Sequence, residues 1–274
     1  FDMCEMDAAI KSMKKNGAPG KDNIPPSFLK NLGTLAKQEL LDLFNESFRT
    51  ANIPSIWKHA IIIPILKAGK PASQLSSYRP ISLTSCMVKV LERMIGSRLY
   101  YLAETEEWFC KTQAGFRKQQ STEDQILRFV QNVSDGFQEK PAKRTIMVQL
   151  DYSKAYDRVW RQRLLLDMIE IGVPIQMVLW FRSFLTDRRA QVLYNGSYSR
   201  DVLMCQGLPQ GAVTSPLLFL FYINGLSEAI PGDVENALFA DDASIWTSDC
   251  DLNKANTRLQ RALNKIEEWS TGRK

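Results

Sequence analysis

Apolar residues recur with helical spacing over residues 5–15, at Met6, Ile10 and Met13, and the run stops at Asn16-Gly17. The prolines and glycines of residues 18–26 predict a loop. Residues 34–50 predict a second amphipathic helix, with Leu35, Leu40, Leu43, Phe44 and Phe48 on one side. A strand is expected at 59–66, next to Pro54 and Pro64, and a polar loop from Ser73 to Tyr78. Residues 84–104 read as a long helix with Val88, Leu91, Ile95, Leu99 and Leu102 on one face. Another helix opens at Ser121, where N-cap and acidic residues cluster in Ser121-Thr-Glu-Asp124.

From residue 140 the pattern changes. Residues 145–150 read as a buried strand, followed by helices at about 155–171 and 174–187. Residues 190–194 and 198–203 flank Asn195-Gly196, the strongest hairpin signal in the chain. A helix at about 213–228 precedes a second hairpin centred on Asp241-Asp242. A last helix spans 251–270, with Leu252, Leu259, Leu263, Ile266 and Trp269. Helices alternating with a few antiparallel strands indicate an α+β fold.

Composition narrows the function classes modestly. The chain has 274 residues, 45% hydrophobic and 24% charged, as expected of a soluble globular protein of one or two domains. A net charge of +5 is compatible with a polyanionic partner. The single histidine, His59, abuts an apolar run and reads as a strand-edge residue, leaving little room for histidine chemistry. Five cysteines without C-x-x-C spacing argue against zinc and for reduced thiols inside the cell. No apolar run reaches the ~18 residues that would span a bilayer. Both ends read as cuts through a longer polypeptide.

The candidate chemistry lies in carboxylates. Asp241 and Asp242 interrupt an apolar run at a position where Gly or Asn ordinarily turns a hairpin. Each of two adjacent like charges disfavours ionisation of the other, and a divalent cation removes that penalty. A plain surface turn is the alternative. Asp151 closes the strand 145–150 and could join the pair if that strand lies beside the hairpin; spacing alone equally allows a helix N-cap. Two divalent ions about 4 Å apart between such carboxylates would serve phosphoryl transfer.

The segment Asp151-Tyr-Ser-Lys-Ala-Tyr-Asp157, then Gly207-Leu-Pro-Gln-Gly211, then Phe239-Ala-Asp-Asp242 resembles the ordered A, B and C motifs of reverse transcriptases. More narrowly, the chain resembles the reverse transcriptase domain of a non-LTR retrotransposon polyprotein. Gly17-Ala-Pro-Gly-Lys-Asp22, Tyr78-Arg-Pro-Ile-Ser-Leu83 and Gln113-Ala-Gly-Phe-Arg117 agree, so the resemblance covers nearly the whole chain.

This resemblance implies an RNA-directed DNA polymerase with right-hand architecture. Fingers are expected over 1–140 and a C-terminally truncated palm over 141–274, the palm being an antiparallel sheet of split βαβ type backed by helices. The thumb would be absent. Asp151, Asp241 and Asp242 are implied as the catalytic carboxylates, holding two Mg²⁺ or Mn²⁺ ions with the carbonyl of Tyr152. Asp151 and Asp241 are the main ligands in the family. Tyr156 matches the steric gate against a ribose 2′-hydroxyl. Gln210 and Gly211 would contact the incoming nucleotide, and Arg79, Lys67, Ser153 and Lys154 its triphosphate. Arg117 and Lys21 are candidates for the template or primer. The implied partners are an RNA template, a DNA primer, deoxynucleoside triphosphates and the rest of the polyprotein, with its endonuclease and thumb, and no membrane. The site of action would be intracellular, nuclear when target DNA supplies the primer.

Three alternatives stay open at this point. One is an inactive or domesticated domain that only binds nucleic acid, against which the three carboxylates, Tyr156 and Gln210-Gly211 argue. The others are an intron-maturase-type reverse transcriptase and an RNA-templated RNA polymerase, which share the metal chemistry.

Overall fold

The computed structural model describes residues 1–273. The fold is mixed α and β, and the chain divides into two compact units that interleave in sequence. One comprises Phe1–Leu102 and Leu164–Ser215, the other Ala103–Arg163 and Pro216–Lys274.

In the first unit, α1 (Met3–Lys11) opens with a capping box in which Asp2 and Glu5 exchange side-chain and backbone hydrogen bonds. Glu5 also receives both ends of the Arg98 guanidinium at 2.8 Å, which holds its carboxyl below the usual range. Next come α2 (Pro26–Lys30) and α3 (Thr34–Thr50), then β1 (His59–Leu66), β2 (Tyr78–Leu83) and α4 (Cys86–Thr105). Helix α3 has the bounds its periodicity predicts. Helix α2 and strand β2 do not follow from the sequence pattern. Pro26 sits at the first position of α2, where a missing N–H costs nothing.

Strand β2 carries Pro80, directly opposite Pro64 of β1. Proline interrupts the strand signature and is tolerated because β2 forms the sheet edge. The sheet order is β2-β1-β4-β5, where β4 is Arg189–Tyr194 and β5 is Ser197–Tyr198; β6 (Val202–Leu203) also pairs with β4. Strand β1 runs antiparallel to β2 and parallel to β4. Asn195 and Gly196 turn β4 into β5 with φ of 49° and 77°, the left-handed pair a two-residue hairpin demands. The core of this unit includes Phe44 against Trp57, and Trp180 stacked on Phe184 with centroids 5.2 Å apart.

In the second unit, α5 (Thr122–Gln138) starts at an N-cap on Ser121, which forms a capping box with Asp124. Strand β3 (Arg144–Asp151) leads into α6 (Ala155–Arg158). The helix expected over 155–171 is two pieces, because Val159 takes an extended conformation that goes with complete burial of its side chain. The second piece is α7 (Arg161–Glu170), which runs on into the first unit and is followed there by α8 (Ile175–Leu185).

Helices α9 (Ser215–Ile223) and α10 (Leu226–Ala229) precede β7 (Glu235–Phe239), β8 (Asp242–Asp249) and α11 (Leu252–Thr271). The sheet here is antiparallel, in the order β3-β8-β7. Helices α5 and α11 pack on it. Trp246 of β8 is fully buried against Phe129 of α5 and donates its indole N–H to Asn132 (3.2 Å). Arg258 of α11 reaches Asp249 (2.9 Å), tying the helix to the end of β8. All five cysteines are free, and among the described residues no helix is long and apolar enough to cross a membrane.

Candidate active site

Strand register assembles the acidic site. Strands β3 and β8 pair from Arg144↔Asp249 to Asp151↔Asp242, so the last residue of one strand faces the first of the other. Directly opposed residues in an antiparallel pair lie about 4.5–5.5 Å apart at Cα and share a sheet face. Phe239↔Asp242 closes the hairpin from the other side, leaving Ala240 and Asp241 as its two turn residues. Asp151 and Asp242 are exposed, Asp241 is half-buried, and the neighbouring Ala243 is buried. The chain thus sets three acids at the wet end of a sheet whose next residue already belongs to the core.

Their electrostatics are unfavourable without a counter-charge. Burial, then the charges of Asp241 and Asp151, push the Asp242 carboxyl above its usual range. Among the described residues no three His, Cys, Asp or Glu side chains are drawn together tightly enough to cage an ion unaided. The register brings the acids to one end of the sheet but does not close them round a centre. The donor set fits a hard divalent cation in chemistry: carboxylate oxygens, mutually repelled, beside backbone carbonyls. The carbonyl of Tyr152 follows Asp151 directly. It accepts the Ala155 N–H at 3.2 Å, which leaves its second lone pair. The Tyr152 hydroxyl lies 3.3 Å from Ser270 Oγ on α11.

Tyr156 is half-buried on α6. Its ring stacks on Phe219 of α9, with centroids 4.8 Å apart and planes within 17°. Burial, and then the negative charge of Asp241, push its phenol well above the ordinary tyrosine range. The ring is thus within electrostatic reach of the turn carboxylate. Ser153 and Lys154 form the exposed bend between β3 and α6, with Lys154 in the left-handed conformation (φ 56°).

The remaining nucleotide candidates belong to the first unit. Gly211 has φ of 120°, and a Cβ there would stand 2.4 Å from the Ser82 carbonyl oxygen of β2, so only glycine fits. The neighbouring Gln210 carbonyl accepts the Ser82 N–H at 2.9 Å. The Gln210-Gly211 turn therefore lies on strand β2, which also carries the exposed Arg79. The Lys67 ammonium donates to the Ser76 carbonyl (3.0 Å), bracing the β1–β2 connection, and Lys21 donates to the Gln191 side chain.

Arg117, a candidate for the template or primer, is engaged within its own segment. Its guanidinium grips Glu104 through two bonds (3.0 and 2.7 Å) and donates to the carbonyls of Cys110 and Gln113 (3.1 and 3.3 Å). It braces its own segment.

Two residues enter to which sequence reasoning gave no role. Glu92 of α4 is completely buried, and its Oε2 accepts from the N–H and the hydroxyl of Thr214 (3.0 and 2.9 Å), anchoring the end of the loop that carries Gln210-Gly211. Burial pushes its carboxyl above the usual range. An acid at i+4 from Val88 and i−3 from Ile95, on the apolar face of a helix, was the available signal. Gln113 is the other, with its carboxamide against the Ala240 backbone.

Residues 65–274 match the family model described as reverse transcriptase (RNA-dependent DNA polymerase). The chain is 34% identical over 273 residues to the Drosophila melanogaster protein named "Probable RNA-directed DNA polymerase from transposon BS", covering 97% of the chain and 30% of that protein. It is 31% identical over 272 residues to the "RNA-directed DNA polymerase from mobile element jockey" of the same species, covering 97% of the chain and 29% of that protein. The chain thus spans about 30% of the length of the curated relatives it matches.

Proposed function

For a chain that belongs to the reverse transcriptase family, we propose the activity of an RNA-directed DNA polymerase within a non-LTR retrotransposon polyprotein. It would add deoxynucleotides to a primer 3′-hydroxyl under the direction of an RNA template. The observation that carries this reading is the register Asp151↔Asp242 with Asp241 at the adjoining turn.

Asp151 and Asp241, with Asp242 and the Tyr152 carbonyl, would hold two Mg²⁺ or Mn²⁺ ions. When bound, such ions supply Lewis acidity at the attacking and leaving oxygens of an in-line displacement. The residues of the chain do the remaining work. Tyr156, its ring fixed flat on Phe219, excludes a ribose 2′-hydroxyl by shape. Arg79 offers a forked donor suited to a triphosphate. Gln210 and Gly211 present a backbone turn and a carboxamide to the nucleotide, and Ser153 and Lys154 present the bend after β3. An ammonium has three N–H donors, so Lys67 on the Ser76 carbonyl and Lys21 on Gln191 can each offer another to a phosphate.

In this reading the β3-β8-β7 sheet with α5 and α11 is palm, within residues 141–274 apart from α5, and the fingers lie within 1–140. The endonuclease and thumb belong to other parts of the polyprotein, and the nucleus is where target DNA would prime synthesis. The test is primer extension on an RNA template by the intact polyprotein and by its Asp241→Ala variant. Extension by the parent alone supports the proposal. Equal extension by both removes the polymerase reading and leaves a nucleic-acid-binding module.

A further inference from the structure

The turn that carries Asp241 is held in an unfavourable shape. Ala240 has φ of 57°, a left-handed conformation that costs a non-glycine residue about 1–2 kcal/mol. Two-residue hairpins ordinarily solve this with Gly or Asn. Here the turn is held from outside. Gln113, 2% exposed, accepts the Ala240 N–H on Oε1 at 2.9 Å, and its Nε2 faces the Ala240 carbonyl at 3.4 Å. The same Oε1 also accepts the Gly115 N–H at 2.8 Å. One carboxamide thus meets both polar backbone groups of the strained residue and is itself locked by its own chain. Gly115 makes room for this, because a Cβ there would lie 2.2 Å from the Ala240 nitrogen.

The clamp has its own foundations. Residues 112–114 lie beside β7 as an added strand, with the Leu238 N–H donating to the Thr112 carbonyl (2.8 Å) and the Ala114 N–H to the Leu238 carbonyl (2.9 Å). The Thr112 hydroxyl lies 3.0 Å from Ser227 Oγ. Arg117, paired with Glu104, donates to the Gln113 carbonyl itself.

We propose that Gln113 is a positioning residue: its buried carboxamide, seated by Gly115 and Arg117, fixes the Ala240–Asp241 turn so that Asp241 stands beside Asp242 and Tyr156. The catalytic consequence rests on the polymerase reading above, whereas the clamp on the carboxylate does not. Small displacements of a catalytic group can cost on the order of a hundredfold in rate.

Three measurements on the intact protein and on Gln113→Met, a change of similar volume, test it. In the variant the Ala240 amide is expected to lose protection from hydrogen exchange. Mn²⁺ affinity, read by electron paramagnetic resonance, is expected to fall about tenfold or more. In primer extension kcat is expected to fall far more than the KM for nucleotide rises. Adding Ala240→Gly, which accepts the left-handed turn without help, is expected to restore part of each, and it supplies a folded background if Gln113→Met alone does not fold. Unchanged Ala240 protection in a folded variant overturns the proposal. If the parent neither binds Mn²⁺ nor extends a primer, the polymerase reading falls while the Ala240 protection still decides the clamp.

Discussion

Asp151 at the end of β3 stands directly across from Asp242 at the start of β8. Ninety residues of intervening chain are resolved by one strand pairing into a shared acidic position, and Asp241 completes it from the adjoining turn. Asp151→Asn and Asp241→Asn keep shape and hydrogen-bonding size while removing a charge. Each is expected to lower metal-dependent primer extension by roughly a hundredfold or more, with the circular dichroism spectrum preserved. Wild-type extension by either variant would separate these acids from the chemistry.

The same crowding has a cost in the absence of metal. Because its carboxyl is held above the usual range, Asp242 keeps its proton in the folded state at a pH where the unfolded chain has lost it. Folded protein then binds more protons than unfolded, and stability falls as pH rises from the ordinary aspartate pKa through the raised one. Asp242→Asn is expected to remove that slope and to stabilise the metal-free protein at neutral pH by less than ~1 kcal/mol, since the side chain is exposed and screened. Denaturant unfolding in chelator across this range reads the difference. A parallel pair of curves would show that the repulsion is not felt.

Tyr156 is fixed by ring stacking rather than by its hydroxyl, with Phe219 4.8 Å away. Tyr156→Phe is therefore expected to keep the discrimination between deoxy- and ribonucleotides. Tyr156→Ala is expected to lose roughly ten- to a hundredfold of it. Competition between the two nucleotide types in primer extension measures this, and equal discrimination in the alanine variant would move the gate elsewhere.

Glu92 is buried with one oxygen on Thr214 and the other, Oε1, without a hydrogen-bond partner. Its raised carboxyl makes folding less favourable as pH rises from the ordinary glutamate pKa toward the folded value. Glu92→Gln can still accept both Thr214 bonds and is expected to flatten that part of the stability profile. Glu92→Ala leaves the Thr214 donors unpaired and is expected to cost about 1–3 kcal/mol. Unfolding curves for the two variants at several pH values distinguish them.

Gly211 combines a φ of 120° with a Cβ position 2.4 Å from the Ser82 oxygen. Gly211→Ala is expected to destabilise by about 1–3 kcal/mol from backbone strain alone, with nucleotide KM raised as Gln210 is displaced. Gly232→Ala, where the added methyl meets nothing within 4 Å, is the control expected to be near neutral. Equal melting temperatures for the two variants would refute the close approach.

Hydrophobic periodicity and local turn chemistry were sufficient where an element carries its own instructions. Helix α3, the N-cap at Ser121 and the Asn195-Gly196 hairpin are of this kind. The acidic site was legible only in part: Asp241-Asp242 stands out in an apolar run but could be a plain turn, and Asp151 joins it through the motif resemblance, since spacing alone equally allows a helix N-cap. Strand β2 was not legible, since its identity comes from pairing with β1 and its proline, Pro80, speaks against a strand. Arg117 and Gln113 illustrate the wider limit. A sequence cannot tell an arginine offered to phosphate from one whose donors are used by Glu104 and nearby carbonyls. Nor does it disclose that a glutamine at 113 meets a backbone at 240.

Pro80 and Ser82 lie two residues apart on the sheet edge, so their nitrogens point the same way. The Ser82 N–H points outward to the Gln210 carbonyl, and Pro80 has no N–H to offer. At these two places the outer rim of β2 therefore presents no vacant donor to a passing β-strand. The loop that carries Gln210-Gly211 thus also guards this rim, and a variant that frees it should invite self-association along β2.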